Sequence, residues 1–176
     1  MGNLVTEIRN FYSLKELDES IEEEISSYKT VVEEYSQRLG SFLRRLETTH
    51  GEQEWVKKMS ALQKSFEKEG RKVKGKKLGL SSNWVAFKDI MLCIDERGEA
   101  EMLFEAIEEM NKKITRLAKI REAIEDLKRL GLGDDVLYIA YVRDEVPEKI
   151  VLRKKGEGES AEKFEFIAKF FASRNL

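Results

Sequence analysis

Residues 21–46 read IEEEISSYKTVVEEYSQRLGSFLRRL. Ile21, Ile25, Tyr28, Val32, Tyr35, Leu39, Phe42 and Leu46 follow an unbroken 4,3,4,3 spacing, a repeat of seven that sets them all on one stripe of an α-helix. A helix with that stripe is unstable alone in water, so it must press against another helix, in the chain or in a second copy. Tyr28 and Tyr35 at the d positions argue against a tight two-stranded zipper, and Val31 and Leu43 widen the stripe. The stripe therefore reads as one wall of an antiparallel bundle.

Upstream, Ser13 and Glu16 form a capping-box pattern, so the helix is expected to begin at Leu14. It should run to about Thr49, roughly 54 Å at about 1.5 Å per residue. Acidic residues crowd its start (Glu16, Asp18, Glu19, Glu22, Glu23, Glu24) and Arg38, Arg44 and Arg45 its end, the order that complements the helix dipole. Gly51 breaks the phase. A second, shorter helix carries Trp55, Val56, Met59, Leu62 and Phe66 toward a cap at Gly70, and residues 71–83 read as a loop.

The segment 84–94 places Trp84, Phe87, Ile90, Met91 and Ile94 at helical spacing. Its second half also fits a short buried strand, but a helix is the expectation. A second long helix follows, from Glu99 to Leu130, with Leu103, Ile107, Met110, Ile114 and Leu117 and then Ile120, Ile124 and Leu127 as its apolar positions. It ends at Gly131. It too starts acidic and finishes basic, so antiparallel pairing would set each helix's acidic end against the other's basic end. After Gly133, Val136–Val142 and Ile150–Arg153 are rich in strand-forming residues around a turn that holds the single proline, Pro147, which predicts a β-hairpin. An amphipathic segment from Ser160, with Phe164, Ile167, Phe170 and Phe171, is the nearest cover for it.

The fold expectation is a mostly α protein: an antiparallel bundle of two long and two shorter helices with a small C-terminal β-hairpin plus helix. Residues 1–132 would form the bundle, and 133–176 would form the hairpin and terminal helix, packed on the bundle or on a dimer partner. The length of 176 residues suits one ordinary domain. Hydrophobic residues at 41% suffice for a core, while 38% charged residues exceed the usual quarter and resemble the composition of heat-adapted proteins. One cysteine excludes an internal disulfide. No apolar run is long enough to cross a bilayer, and residues 1–11 lack the features of a signal peptide, so a cytoplasmic protein without membrane contact is expected.

Several constellations resemble chemical sites without completing them. Residues 70–77 approach the phosphate-binding loop, but Lys77 stands where Ser or Thr should hold magnesium, and the loop follows a charged helix rather than a strand. Glu47 and His50 have the spacing of helical di-iron ligands, yet the chain's single histidine supplies no second pair. The Glu-x-x-Glu spacings (Glu16 with Glu19, Glu105 with Glu108, Glu122 with Glu125) arise by default on solvated helix faces. Cys93, in an apolar run, reads as a small buried hydrophobe. No catalytic residue, cofactor or metal is expected.

The strongest functional lead is a basic patch: Arg71, Lys72, Lys74, Lys76 and Lys77, with Lys64 and Lys68 on the preceding helix and Trp84 just beyond. Such a patch can neutralise phosphates while the aromatic stacks on a base. Two functions follow. The leading one is a non-enzymatic protein–protein interaction or scaffold protein, self-associating through its long helices as a homodimer, with the edge of the C-terminal hairpin available to pair with its copy. The alternative is a DNA- or RNA-associated protein using loop 71–77.

Overall fold

The computed structural model describes residues 6–50, 53–58, 60–61, 84–133 and 135–155. Along the chain lie β1 (Thr6–Phe11), α1 (Leu14–His50), α2 (helical at 54–58 and 60–61), β2 (Val85–Phe87), β3 (Ile90–Leu92), α3 (Glu96–Arg129), β4 (Val136–Arg143) and β5 (Val146–Lys154). They belong to two compact units, one of Met1–Tyr28 with Lys112–Leu176 and the other of Lys29–Asn111.

This overturns the expected four-helix bundle. The described residues hold three helices, two of them long, and five strands in two antiparallel sheets. The segment 84–94 is a strand pair rather than a helix, because its apolar residues are cross-strand neighbours: Val85 faces Leu92 and Phe87 faces Ile90. The N-terminal segment, for which no element was expected, supplies β1. The final helix expected from Ser160 lies outside the described residues.

In the first unit, α1 begins at its capping box. Ser13 Oγ accepts from the Glu16 amide at 3.0 Å, and the Glu16 carboxylate accepts from the Tyr12 amide at 2.6 Å, one residue earlier than in the usual box. The sheet order is β1-β4-β5. Central β4 alternates strictly, with Val136, Tyr138, Ala140 and Val142 buried. These meet Leu14, Leu17, Ile21 and Ile25 of α1 and Leu117 and Ile124 of α3 in one core, each large aliphatic side chain adding roughly 1.5–3 kcal/mol by leaving water. Tyr138 is wholly buried, and its hydroxyl donates to the Gly133 carbonyl at 3.0 Å.

The end of α3 is closed by Gly131 at φ 84°. Its amide bonds the Lys128 carbonyl at 3.0 Å and the Leu132 amide bonds that of Leu127 at 3.3 Å, the paired bonds of a Schellman cap that only glycine accommodates without strain. Asp18 near the start of α1 accepts from Arg121 at 2.8 Å and from Lys128 at 3.4 Å near the end of α3. The Arg121 hydrogen bond holds the Asp18 carboxyl below its usual pKa against the opposing effect of burial.

In the second unit, Leu39, Phe42, Leu43 and Leu46 of α1 join Val56 of α2 and Ala100, Leu103, Phe104 and Ile107 of α3 in a separate core. The heptad stripe is thus largely consumed inside the chain: Ile21, Ile25, Leu39, Phe42 and Leu46 are all buried. Asp95 caps the start of α3, its carbonyl accepting from the Gly98 amide at 2.9 Å and its carboxylate from the Arg97 amide at 3.0 Å.

Candidate functional site

The seven basic residues singled out from the sequence, Lys64, Lys68, Arg71, Lys72, Lys74, Lys76 and Lys77, lie outside the described residues. Trp84 is described, and its indole N–H donates to Glu101 at 2.8 Å. Glu47, half of the Glu-x-x-His pair, accepts from the Ser60 hydroxyl. Among the described residues no group of three or more His, Cys, Asp or Glu side chains is placed to hold a metal ion. No helix of the described residues is long and apolar enough to cross a membrane.

Two other places in the molecule stand out. The first lies in the first unit, where β1 turns charged residues inward. Its inward positions are Glu7, Arg9 and Phe11, while Ile8 faces outward with 71% of its surface exposed. Arg9 bonds Glu7 and lies 3.7 Å from Glu24. Close by, the Tyr28 hydroxyl donates to Glu145 and accepts from Lys113 at 3.1 Å, with the Lys113 ammonium 5.2 Å above the ring. Burial, then the Glu145 hydrogen bond, pushes the Tyr28 pKa upward, so this phenol stays protonated as a donor. Burial and repulsion from Glu145 raise the Glu24 pKa as well, outweighing the pull of Arg9. Glu145 is delivered by the β4–β5 turn, where Asp144 and Glu145 both adopt positive φ, 50° and 66°. That pattern marks a type I′ turn, which usually takes Asn-Gly. The sequence reading had placed Tyr28 only on the apolar stripe; its polar partners come from β4–β5 and α3, far away in the chain.

The second place is the β2–β3 hairpin of the second unit. Its antiparallel register puts Val85, Phe87, Ile90 and Leu92 on one face and Ala86 and Met91 on the other. Both faces are exposed: Val85 64%, Phe87 56%, Ile90 57%, Met91 55%, Leu92 49%, and Ile94 just beyond is fully open. The two-residue loop is Lys88-Asp89, with Lys88 at φ 52°.

Among the described residues, only the base of this hairpin is anchored. Gly98 in the first turn of α3 leaves no room for a side chain: a Cβ there would lie 2.7 Å from Cys93 Sγ and 3.3 Å from Trp84 Cζ2. Cys93 is therefore half-buried rather than buried, and its sulfur accepts from the Asp95 amide at 3.4 Å. With the Trp84 to Glu101 hydrogen bond, this close seat holds the hairpin's root on α3 while its apolar strands stay in contact with water.

No protein-family model, curated protein or solved structure matches this chain.

Proposed function

We propose that this chain is a non-enzymatic protein–protein interaction or scaffold protein, and that the β2–β3 hairpin is its docking element. The observation that carries this reading is the exposed apolar face of a strand pair tied to α3 at its root. Two strands of three residues each do not sustain themselves in water, and contiguous exposed apolar patches mark interaction surfaces. The helical stripe, the first candidate for such contacts, is largely buried within the two cores. Among the described residues, Val85, Phe87, Ile90, Met91, Leu92 and Ile94 are exposed together on this one segment, whereas Ile8, Tyr12, Met102 and Val151 are spread over other elements.

Photo-cross-linking tests this directly. The photoreactive p-benzoylphenylalanine at Phe87 should form adducts with polypeptide, while the same residue at exposed Glu34 should not. Absence of adducts at Phe87, or equal yields at both positions, would overturn the reading. So would DNA or RNA binding that weakens steeply with salt and vanishes when Lys72, Lys74, Lys76 and Lys77 become Glu, joined to silence at Phe87.

A further inference from the structure

We infer that the occupant of the hairpin is the same face of a second copy of this chain, the two hairpins stacked face to face about a two-fold axis. This rests on the hairpin being the docking surface, and it names the partner.

Area is the first argument. Val85, Phe87, Ile90 and Leu92 share one face, and Ile94 follows Leu92 at the same spacing of two. At their exposures, these five side chains offer on the order of 600 Å² of apolar surface, close to the ~800 Å² that each partner contributes to a standard stable interface. A single hairpin face therefore supplies most of what a dimer needs.

Charge is the second. Across a two-fold axis the same patch meets itself, so a patch of one charge sign opposes self-pairing while a neutral one permits it. Within Trp84–Ile94 the only ionisable groups apart from the Cys93 thiol are Lys88 and Asp89 in the loop. They have opposite sign and add no net charge to the tip. The five-residue face itself is neutral.

Geometry is the third. Face-to-face packing of strand pairs lets side chains from the two inner faces interdigitate at about 10 Å separation. The cross-strand pairs Val85 with Leu92 and Phe87 with Ile90 form a compact square that can interleave with its own copy. Met91, on the opposite face, takes no part.

Light scattering on the 176-residue chain at micromolar concentration decides the matter. The unaltered protein should have the mass of a dimer. Phe87→Glu and Ile90→Glu should each weaken association about a hundredfold or more, because the axis places every substitution in the interface twice, while the circular dichroism spectrum stays unchanged. Phe87→Ser should weaken it in the same direction, and Met91→Glu should leave a dimer. A monomeric unaltered chain, or a dimer that survives Phe87→Glu, overturns the inference.

The cross-linking at Phe87 separates this failure from failure of the wider reading. A monomer that forms adducts with a different polypeptide removes the second copy and keeps the docking surface. Adducts confined within one chain, to residues 62–83 or 156–176, overturn both.

Discussion

The two β-hairpins of this protein have opposite fates. In β4–β5, one strand is central to a three-stranded sheet, and its alternate residues enter a core shared with both long helices. In β2–β3, among the described residues, the strands have only each other and every residue of both is exposed. The difference does not lie in apolar content, since β2 and β3 contain no polar residue at all. It lies in cover: β4 has β1 on one side, β5 on the other and helices on one face, whereas among the described residues β2–β3 is held only at its root.

The sharpest way to break this contrast is to truncate one side chain in each hairpin. Tyr138→Ala removes a wholly buried ring and its hydrogen bond to Gly133, and should cost about 3–5 kcal/mol in urea unfolding followed by circular dichroism. Phe87→Ala, measured at a dilution where the chain is monomeric, should change stability by less than about 0.5 kcal/mol. Comparable losses would mean that β2–β3 is covered within its own chain.

Next in size is the root of the exposed hairpin. Gly98→Ala forces a Cβ against Cys93 and Trp84, and should destabilise by about 1–3 kcal/mol, as overpacking does. Tryptophan fluorescence should report Trp84 leaving Glu101. An unchanged spectrum would show that the hairpin is not seated there.

The two turns give a smaller, paired effect. Lys88 and Glu145 both adopt positive φ, which costs a non-glycine residue roughly 1 kcal/mol. Lys88→Gly should recover part of that cost, because among the described residues the side chain makes only a distant contact, with the Phe87 ring. Glu145→Gly should recover nothing net, since it also removes the acceptor of the Tyr28 hydroxyl. If both variants are stabilised alike in thermal melts, the Tyr28 to Glu145 contact contributes nothing.

The smallest effect is a pH dependence within the first unit, where Asp18 and Glu24 pull in opposite directions. Asp18, with its pKa lowered by Arg121, contributes stability that is full above the unfolded value near 4 and is lost as pH falls through the folded one. Glu24, with its pKa raised by burial, contributes the reverse: its share is full below the unfolded value and is lost as pH rises through the folded one. Asp18→Asn should therefore flatten the acid limb of a stability profile, and Glu24→Gln should raise stability at neutral pH. The same sign for both variants at pH 7 would contradict these assignments.

The helices were legible because their signals are local. The capping box at Ser13 and Glu16, the stripe from Ile21 to Leu46, and Gly131 all act within a few residues, and α1 and α3 lie close to where these signals place them. The β4–β5 pair was legible for the same reason, with its turn residues between two strand-forming runs. β1 was not, because its pattern is inverted: Ile8 faces out, while Glu7 and Arg9 face in, bonded to each other, with Arg9 also meeting Glu24 of α1. The segment 84–94 was misread because Trp84, Phe87, Ile90, Met91 and Ile94 satisfy a helical period, and no local signal reveals that Gly98 will seat Trp84 and Cys93. The exposed apolar face was hidden with it, since its exposure depends on the rest of the fold.

The pairing of β1 with β4 also sets an order of events. Thr6–Phe11 leaves a ribosome before its partners, Tyr138–Arg143, which are made only after the whole of Lys29–Asn111 has been synthesised. The second unit is continuous in sequence and can complete its contacts while the chain is still growing, at about 5–20 residues per second. The first unit must close across that span, and loop closure over such a distance is slow. The contacts within Lys29–Asn111 can therefore form before those of the β1-β4-β5 sheet.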